Sequence, residues 1–120
     1  MQALVQRVSS AEIFINEEQH AKIQTGLLAF VCFESADVES TTDQFIKKIS
    51  EFTFFDDNRG VMASNLKEID GELMLVSQFT LAAITNKGNK PSFHKAAKTD
   101  DARLLYNQLI QKLDQSSINY

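Results

Sequence analysis

The chain has 120 residues, of which 43% are hydrophobic and 23% are charged, and this ordinary globular composition predicts one domain over residues 1–120. Its net charge of −4 argues against a protein built to coat nucleic acid, and no apolar run approaches the ~20 residues that a membrane span needs. Its single cysteine, Cys32, excludes an internal disulfide and fits a reducing cytoplasm. We therefore expect neither a membrane nor DNA as a partner.

The first third of the chain predicts strands. Residues 3–8 form the first, and apolar side chains at Ala11, Ile13 and Ile15 recur with the period of two that is typical of a second. A turn at residues 16–18 predicts a hairpin that returns through residues 19–24. The unbroken apolar run at residues 27–33 is typical of a central strand that is covered on both faces.

Two helices are predicted in the rest of the chain. The first follows the capping residues Ser40, Thr41 and Thr42, with Thr41 and Gln44 as a capping box. Turns are predicted at residues 56–60 and 70–71, and a strand over residues 73–81. The second helix begins near Thr99, and the tail at residues 114–120 is expected to be frayed. Its buried face is predicted to comprise Ala102, Leu105, Leu109 and Leu113.

This order of elements predicts an α+β fold, with a mixed or antiparallel sheet packed with two helices. No metal site is predicted, because His20 and His94 are far apart and Cys32 lies in an apolar strand. A buried Cys32 would keep its proton and would be a poor nucleophile.

Ser77-Gln78-Phe79-Thr80-Leu81 is the first segment that could carry chemistry. It closes an apolar strand with polar side chains, and the period of two places Gln78 and Thr80 on one face, about 7 Å apart. Such a rim can bind a small polar substrate. The pattern alone favours the alternative, a strand end whose polar groups bond to a loop.

The second segment, residues 86–95, is a loop by composition. It lies in a stretch, residues 73–99, that contains no Asp or Glu. Stacking on Phe93 and phosphate contacts from positive side chains would suit the end of a single-stranded RNA. A surface loop anchored by one buried Phe is the alternative. The lysines of this stretch are Lys87, Lys90, Lys95 and Lys98.

Together the two segments resemble the D-aminoacyl-tRNA deacylase family. Residues 77–81 match its Ser-Gln-Phe-Thr-Leu motif, and Gly88 to Phe93 match its Gly-x-x-Pro-Ser-Phe motif. Residues 3–8 look like the family's first strand, and residues 26–28 like its buried strand. The likeness spans essentially the whole chain.

The resemblance implies a cytoplasmic, homodimeric hydrolase with no metal or cofactor. Such enzymes act in translation quality control, hydrolysing the ester between a D-amino acid, or glycine, and the 3'-terminal adenosine of tRNA. Thr80, Gln78 and Phe79 would be catalytic, with Thr80 as the nucleophile or, in the competing view, with the tRNA's own 2'-hydroxyl assisting. Ser77, Pro91, Ser92 and Phe93 would bind the substrate, and the four lysines would contact tRNA.

The family motif Asn-x-Gly-Pro-Val-Thr-Phe is not matched here, because the sequence stops at Tyr120 and its only proline is Pro91. The resemblance places the rejection of L-amino acids in that motif. Residues 1–120 alone are therefore expected to discriminate weakly between D- and L-substrates. A non-catalytic dimeric relative that binds tRNA ends without editing them is the alternative function.

Overall fold

A computed structural model describes all residues 1–120. Its centre is a three-stranded sheet made of β1 (Gln2–Val8), β4 (Gly26–Cys32) and β7 (Glu72–Ser77), in the order β1-β4-β7. Strand β4 pairs antiparallel with β1 and parallel with β7. The sheet is therefore mixed, and the α+β prediction is confirmed.

Two antiparallel hairpins accompany this sheet. Strands β2 (Ala11–Ile15) and β3 (Glu18–Ile23) form the hairpin that the period of two predicted, with Asn16 and Glu17 both at positive φ in its turn. The second pairs β5 (Phe55–Asp57) with β6 (Gly60–Ser64), where the sequence indicated only a turn. Strand β5 has only three residues, and the sequence Gly-Val-Met-Ala-Ser of β6 does not alternate between apolar and polar side chains.

Helix α1 spans Glu39–Glu51 and helix α2 spans Thr99–Asp114. Helix α2 begins where predicted, and Leu105, Leu109 and Leu113 are buried, although Ala102 is only half-buried. The predicted capping box at Thr41 and Gln44 is wrong. The cap is Val38, whose N–H donates to the Thr41 hydroxyl at 3.1 Å. In a capping box the side chain of the cap residue also accepts a backbone N–H from the first turn of the helix. Valine has no side-chain acceptor, so only one of the two hydrogen bonds forms.

The core lies between the central sheet and the two helices. The apolar run of β4 provides Leu27, Ala29 and Val31, which lie on one face of the strand and are fully buried. On its other face Leu28 and Phe30 are only half-buried, so the predicted cover of both faces is incomplete. Gly26 begins this strand where it approaches β7 closely, since an added Cβ would lie 1.8 Å from the Glu72 carbonyl oxygen. Only glycine permits β4 and β7 to pair from their first residues.

The expectation of a frayed tail is wrong. The Asn119 carbonyl accepts the Leu73 N–H at 2.8 Å, and Ile118 packs against the core. The polar composition of the tail hid this contact, because one backbone bond and one apolar side chain are enough to hold it on β7.

Candidate functional site

Strand β7 ends at Ser77, and the chain then turns into a 3-10 helix over Phe79–Ala82. The Gln78 N–H still donates to the Val31 carbonyl at 2.7 Å, and the Ala83 N–H then donates to Thr80 within the turn. The predicted continuation of the strand to residue 81 is therefore wrong. Its partner β4 ends at Cys32, so the backbone beyond Gln78 has no strand to pair with.

Gln78 and Thr80 were predicted to lie on one face of a strand. They do lie close together, but the 3-10 turn brings them together instead. The Gln78 side-chain amide donates to the Thr80 hydroxyl oxygen. Thr80 is exposed, and no His, Lys, Asp or Glu side chain hydrogen-bonds to it. A hydroxyl without an adjacent base is a weak nucleophile, so this arrangement favours a positioning or donating role for Thr80.

Cys32 fastens this turn to the core. Its thiol is buried, and it donates to the Phe79 carbonyl oxygen at 3.4 Å. Burial raises the pKa of the Cys32 thiol, so the group stays protonated at neutral pH. The prediction of a buried Cys32 is confirmed, and the thiol is one contact that holds the 3-10 helix in place.

The second motif lies at the base of a loop. Ile84 and Ser92 exchange backbone hydrogen bonds of 2.7 and 3.0 Å, which close the loop between them. Gly88 lies within it at a φ of 64°, a conformation that glycine adopts freely. All four lysines predicted to contact tRNA are exposed, and none forms an ion pair: Lys87, Lys90, Lys95 and Lys98.

An aromatic pair joins the two motifs. The rings of Phe79 and Phe93 meet edge to face, with centroids 5.3 Å apart and planes at 67°. Both rings remain partly exposed. The Ser92 side chain hydrogen-bonds to His94, with its Oγ 2.8 Å from Nδ1. The neighbouring Pro91 is exposed. The two segments that the sequence singled out are thus neighbours in space through their phenylalanines.

A cavity of about 420 Å³ opens beside Phe79, between the first motif, the segment before α2 and α2 itself. Of the predicted site residues, only Ser77 and Phe79 line it. Ser77 and Phe79 form one side, and Ala96, Ala97 and Ala102 leave the space open. Its remaining lining residues are Thr99, Arg103 and Tyr106. Its volume lies in the range of about 300–1,000 Å³ that is usual for small-molecule sites.

Sequence reasoning missed the contribution of α2 to this cavity. Polar residues on an amphipathic helix normally face solvent, so Arg103 and Tyr106 gave no signal. Ser77, Thr99 and Arg103 are exposed and Tyr106 is half-buried, and none of their side chains forms a hydrogen bond within the protein. Burial raises the pKa of Tyr106, so its hydroxyl remains a donor at neutral pH. Apolar walls with a few unpaired polar groups are typical of a ligand site.

A larger cavity, of about 540 Å³, lies elsewhere, between β1 and α1. Its lining is mostly apolar, with Met1, Val5, Phe45 and Phe52 among its walls, and it contains neither motif. No group of three or more potential ligands is placed to hold a metal ion. Neither α1 nor α2 combines the length and the hydropathy that crossing a bilayer requires.

Comparisons with known proteins show which proteins this chain is similar to. The family model for D-Tyr-tRNA(Tyr) deacylase matches residues 4–119. The D-aminoacyl-tRNA deacylase of Azoarcus sp. (strain BH72) is 43% identical over 112 residues, which are 93% of this chain and 74% of that protein. The deacylase of Flavobacterium johnsoniae is 40% identical over 114 residues, 95% of this chain and 76% of that one.

Two solved structures are also similar. The c-Myc DNA Unwinding Element Binding Protein superimposes with a TM-score of 0.88 at 32% identity, covering 96% of this chain and 77% of that one. A probable eukaryotic D-amino acid tRNA deacylase gives a TM-score of 0.79 at 14% identity, covering 91% and 64%. The second likeness supports the fold alone, since its sequence identity is low.

Proposed function

Because this chain belongs to the D-Tyr-tRNA(Tyr) deacylase family, we propose that it hydrolyses D-aminoacyl-tRNA at the cavity beside Phe79 and Phe93. The enzyme is a hydrolase that acts on the ester bond and releases the free D-amino acid and tRNA. The observation that carries the proposal is that Phe79 of the first motif both lines a cavity with unpaired polar groups and contacts Phe93 of the second motif.

In this proposal the motif positions the ester and stabilises charge. Water attacks the acyl carbon, the carbonyl oxygen becomes an oxyanion, and the ribose oxygen leaves with a proton. The backbone N–H groups of Phe79 and Thr80 have no acceptor within the 3-10 helix that they begin, so they are the proposed oxyanion donors. Thr80 accepts from Gln78 and keeps its own O–H free to donate.

The tRNA acceptor end would cross the lysine-bearing loop to reach this cavity. The four exposed, unpaired lysines support this path, because sequence-independent RNA contacts are mainly between positive side chains and phosphates. Phe93 offers its exposed ring for stacking, while Pro91 and Ser92 shape the loop base. The protein would act in the cytoplasm as a homodimer. The matches do not favour a non-catalytic relative as the alternative.

Filling the cavity tests the proposal. Ala102 is a small side chain on its α2 wall, and Ala102→Phe is expected to reduce kcat/KM for D-tyrosyl-tRNA by about a hundredfold or more, because the ester can no longer reach the turn. Gln111→Phe adds the same ring at an exposed position of α2, outside the cavity, and is expected to leave the rate unchanged. An Ala102→Phe variant that is folded and fully active would place the reaction elsewhere.

A further inference from the structure

Arg103 differs from the other two arginines of the chain. Arg7 lies 3.3 Å from Asp56, and Arg59 lies 2.7 Å from Asp57. Arg103 has no carboxylate within ion-pair distance and donates no hydrogen bond, although Asp100 precedes it by one helical turn. Its guanidinium is therefore free to bind something from outside the protein.

The position of Arg103 narrows what that ligand can be. It is the only charged residue that lines the cavity beside Ser77 and Phe79, and no Asp or Glu lines this cavity. A guanidinium presents parallel N–H donors that match the oxygens of a phosphate or carboxylate. The cavity therefore favours an anion that enters together with an apolar or aromatic group.

We propose that Arg103 binds the phosphodiester that precedes the terminal adenosine of the substrate, an inference that rests on the proposed function. The ester lies on the ribose of that adenosine, and the phosphate lies on the other side of the same ribose. With the ester at the 3-10 helix, the nucleoside occupies the cavity and its phosphate reaches the α2 wall. Arg103 thereby distinguishes an ester on RNA from an ester on a free nucleoside.

Two substrates distinguish phosphate binding by Arg103 from a general effect of Arg103 on the site. The first is D-tyrosyl-tRNA, and the second is the D-tyrosyl ester of adenosine, which has no phosphate. Arg103→Gln is expected to raise KM for the tRNA substrate roughly tenfold, the effect of losing one charge-assisted hydrogen bond, with kcat nearly unchanged. The same variant is expected to hydrolyse the adenosine ester at the wild-type rate.

Control variants define the cause of the loss. Lys47→Gln removes one positive charge from an exposed, unpaired position on α1 and is expected to change neither substrate's KM. Arg103→Lys keeps the charge but loses the parallel donors, so an intermediate KM is expected. Equal losses on both substrates, or no loss on tRNA, would overturn the inference.

A binding measurement tests the site without the reaction, so a failure of the proposed function remains distinguishable. Adenosine 5'-(methyl phosphate) carries the phosphodiester but no further nucleotide, and it is expected to bind the wild-type protein about tenfold more tightly than adenosine in a fluorescence or NMR titration. Arg103→Gln is expected to bind the two equally. If the variant keeps the wild-type preference for the phosphodiester, the phosphate lies elsewhere, whether or not the protein hydrolyses D-tyrosyl-tRNA.

Discussion

Two polar clusters of this molecule differ in what their side chains bind. On the β5–β6 hairpin, the Arg59 guanidinium donates to Asp57 and to the Ala63 carbonyl, each at 2.7 Å, and the Ser64 hydroxyl donates to Asp57. These bonds hold the pKa of the Asp57 carboxyl well below its usual range. The polar groups of this cluster hydrogen-bond to one another, and these bonds connect β5 to β6.

The cavity beside α2 has the opposite arrangement. Its hydroxyls and its guanidinium have no partner within the protein, and its walls are largely alanine and aromatic side chains. A group that bonds within the fold contributes to stability, whereas one left unpaired at an apolar cavity is available to a ligand. We therefore expect substitutions in the hairpin cluster to change stability and substitutions at the cavity to change activity.

The largest effect is expected at the reacting turn. Thr80→Ala removes the exposed hydroxyl bonded to Gln78 and is expected to lower kcat for D-tyrosyl-tRNA by roughly 10²-fold without abolishing the reaction, because backbone donors remain. Unfolding free energy should change by less than about 0.5 kcal/mol, as is usual for an exposed site. Single-turnover kinetics measure the rate. Trapping an acyl-enzyme ester on Thr80 would contradict this role.

A smaller effect is expected at Tyr106. Tyr106→Phe removes one unpaired hydroxyl from the cavity and is expected to lower kcat/KM by up to about tenfold, the value of one neutral hydrogen bond. Thermal stability should be unchanged, because no internal bond is lost. Since the hydroxyl's pKa is raised, its contribution should persist from pH 7 to pH 9. A large fall in melting temperature would instead show that Tyr106 is structural.

A modest effect is expected on the lysine-bearing loop. Lys87→Ala combined with Lys90→Ala should weaken tRNA binding a few-fold and flatten the dependence of log Kd on log salt by roughly one unit per lost contact, or about 0.7 for single strands. Filter binding over a salt series measures this. Lys47→Ala with Lys67→Ala makes the same change of charge elsewhere, and an equal response from that pair would remove any special role for the loop.

The smallest effect on activity is expected at Asp57. Because its pKa is lower in the folded protein, its ionised form stabilises the fold above about pH 4, and this contribution is lost as the pH falls toward the folded-state pKa. Asp57→Asn should therefore melt below the wild type at pH 7, with a smaller difference at pH 3. Its deacylation rate per folded molecule should equal the wild type's. If Asp57→Asn lost its deacylation rate but kept the wild-type stability, the hairpin cluster would serve activity rather than stability.

The sequence predicted the elements that depend on local pattern. The apolar run of β4, the start of α2 and the two motifs could be identified because periodicity and composition report burial within one element. The end of β7 could not, since it depends on where β4 stops pairing. The cavity residues Arg103 and Tyr106 could not either, because only the packing of α2 beside Phe79 gives them a common space.

The pairing of β4 with β7 also governs when the site can form. Gly26 pairs with Glu72, so the chain between them must close into a long loop before the strand that bears the motif can join the sheet. Contacts of such sequence separation slow folding, and during synthesis they wait until the later strand has left the ribosome. The β2–β3 hairpin can form early, whereas we expect the reacting turn to acquire its geometry among the last parts of the molecule.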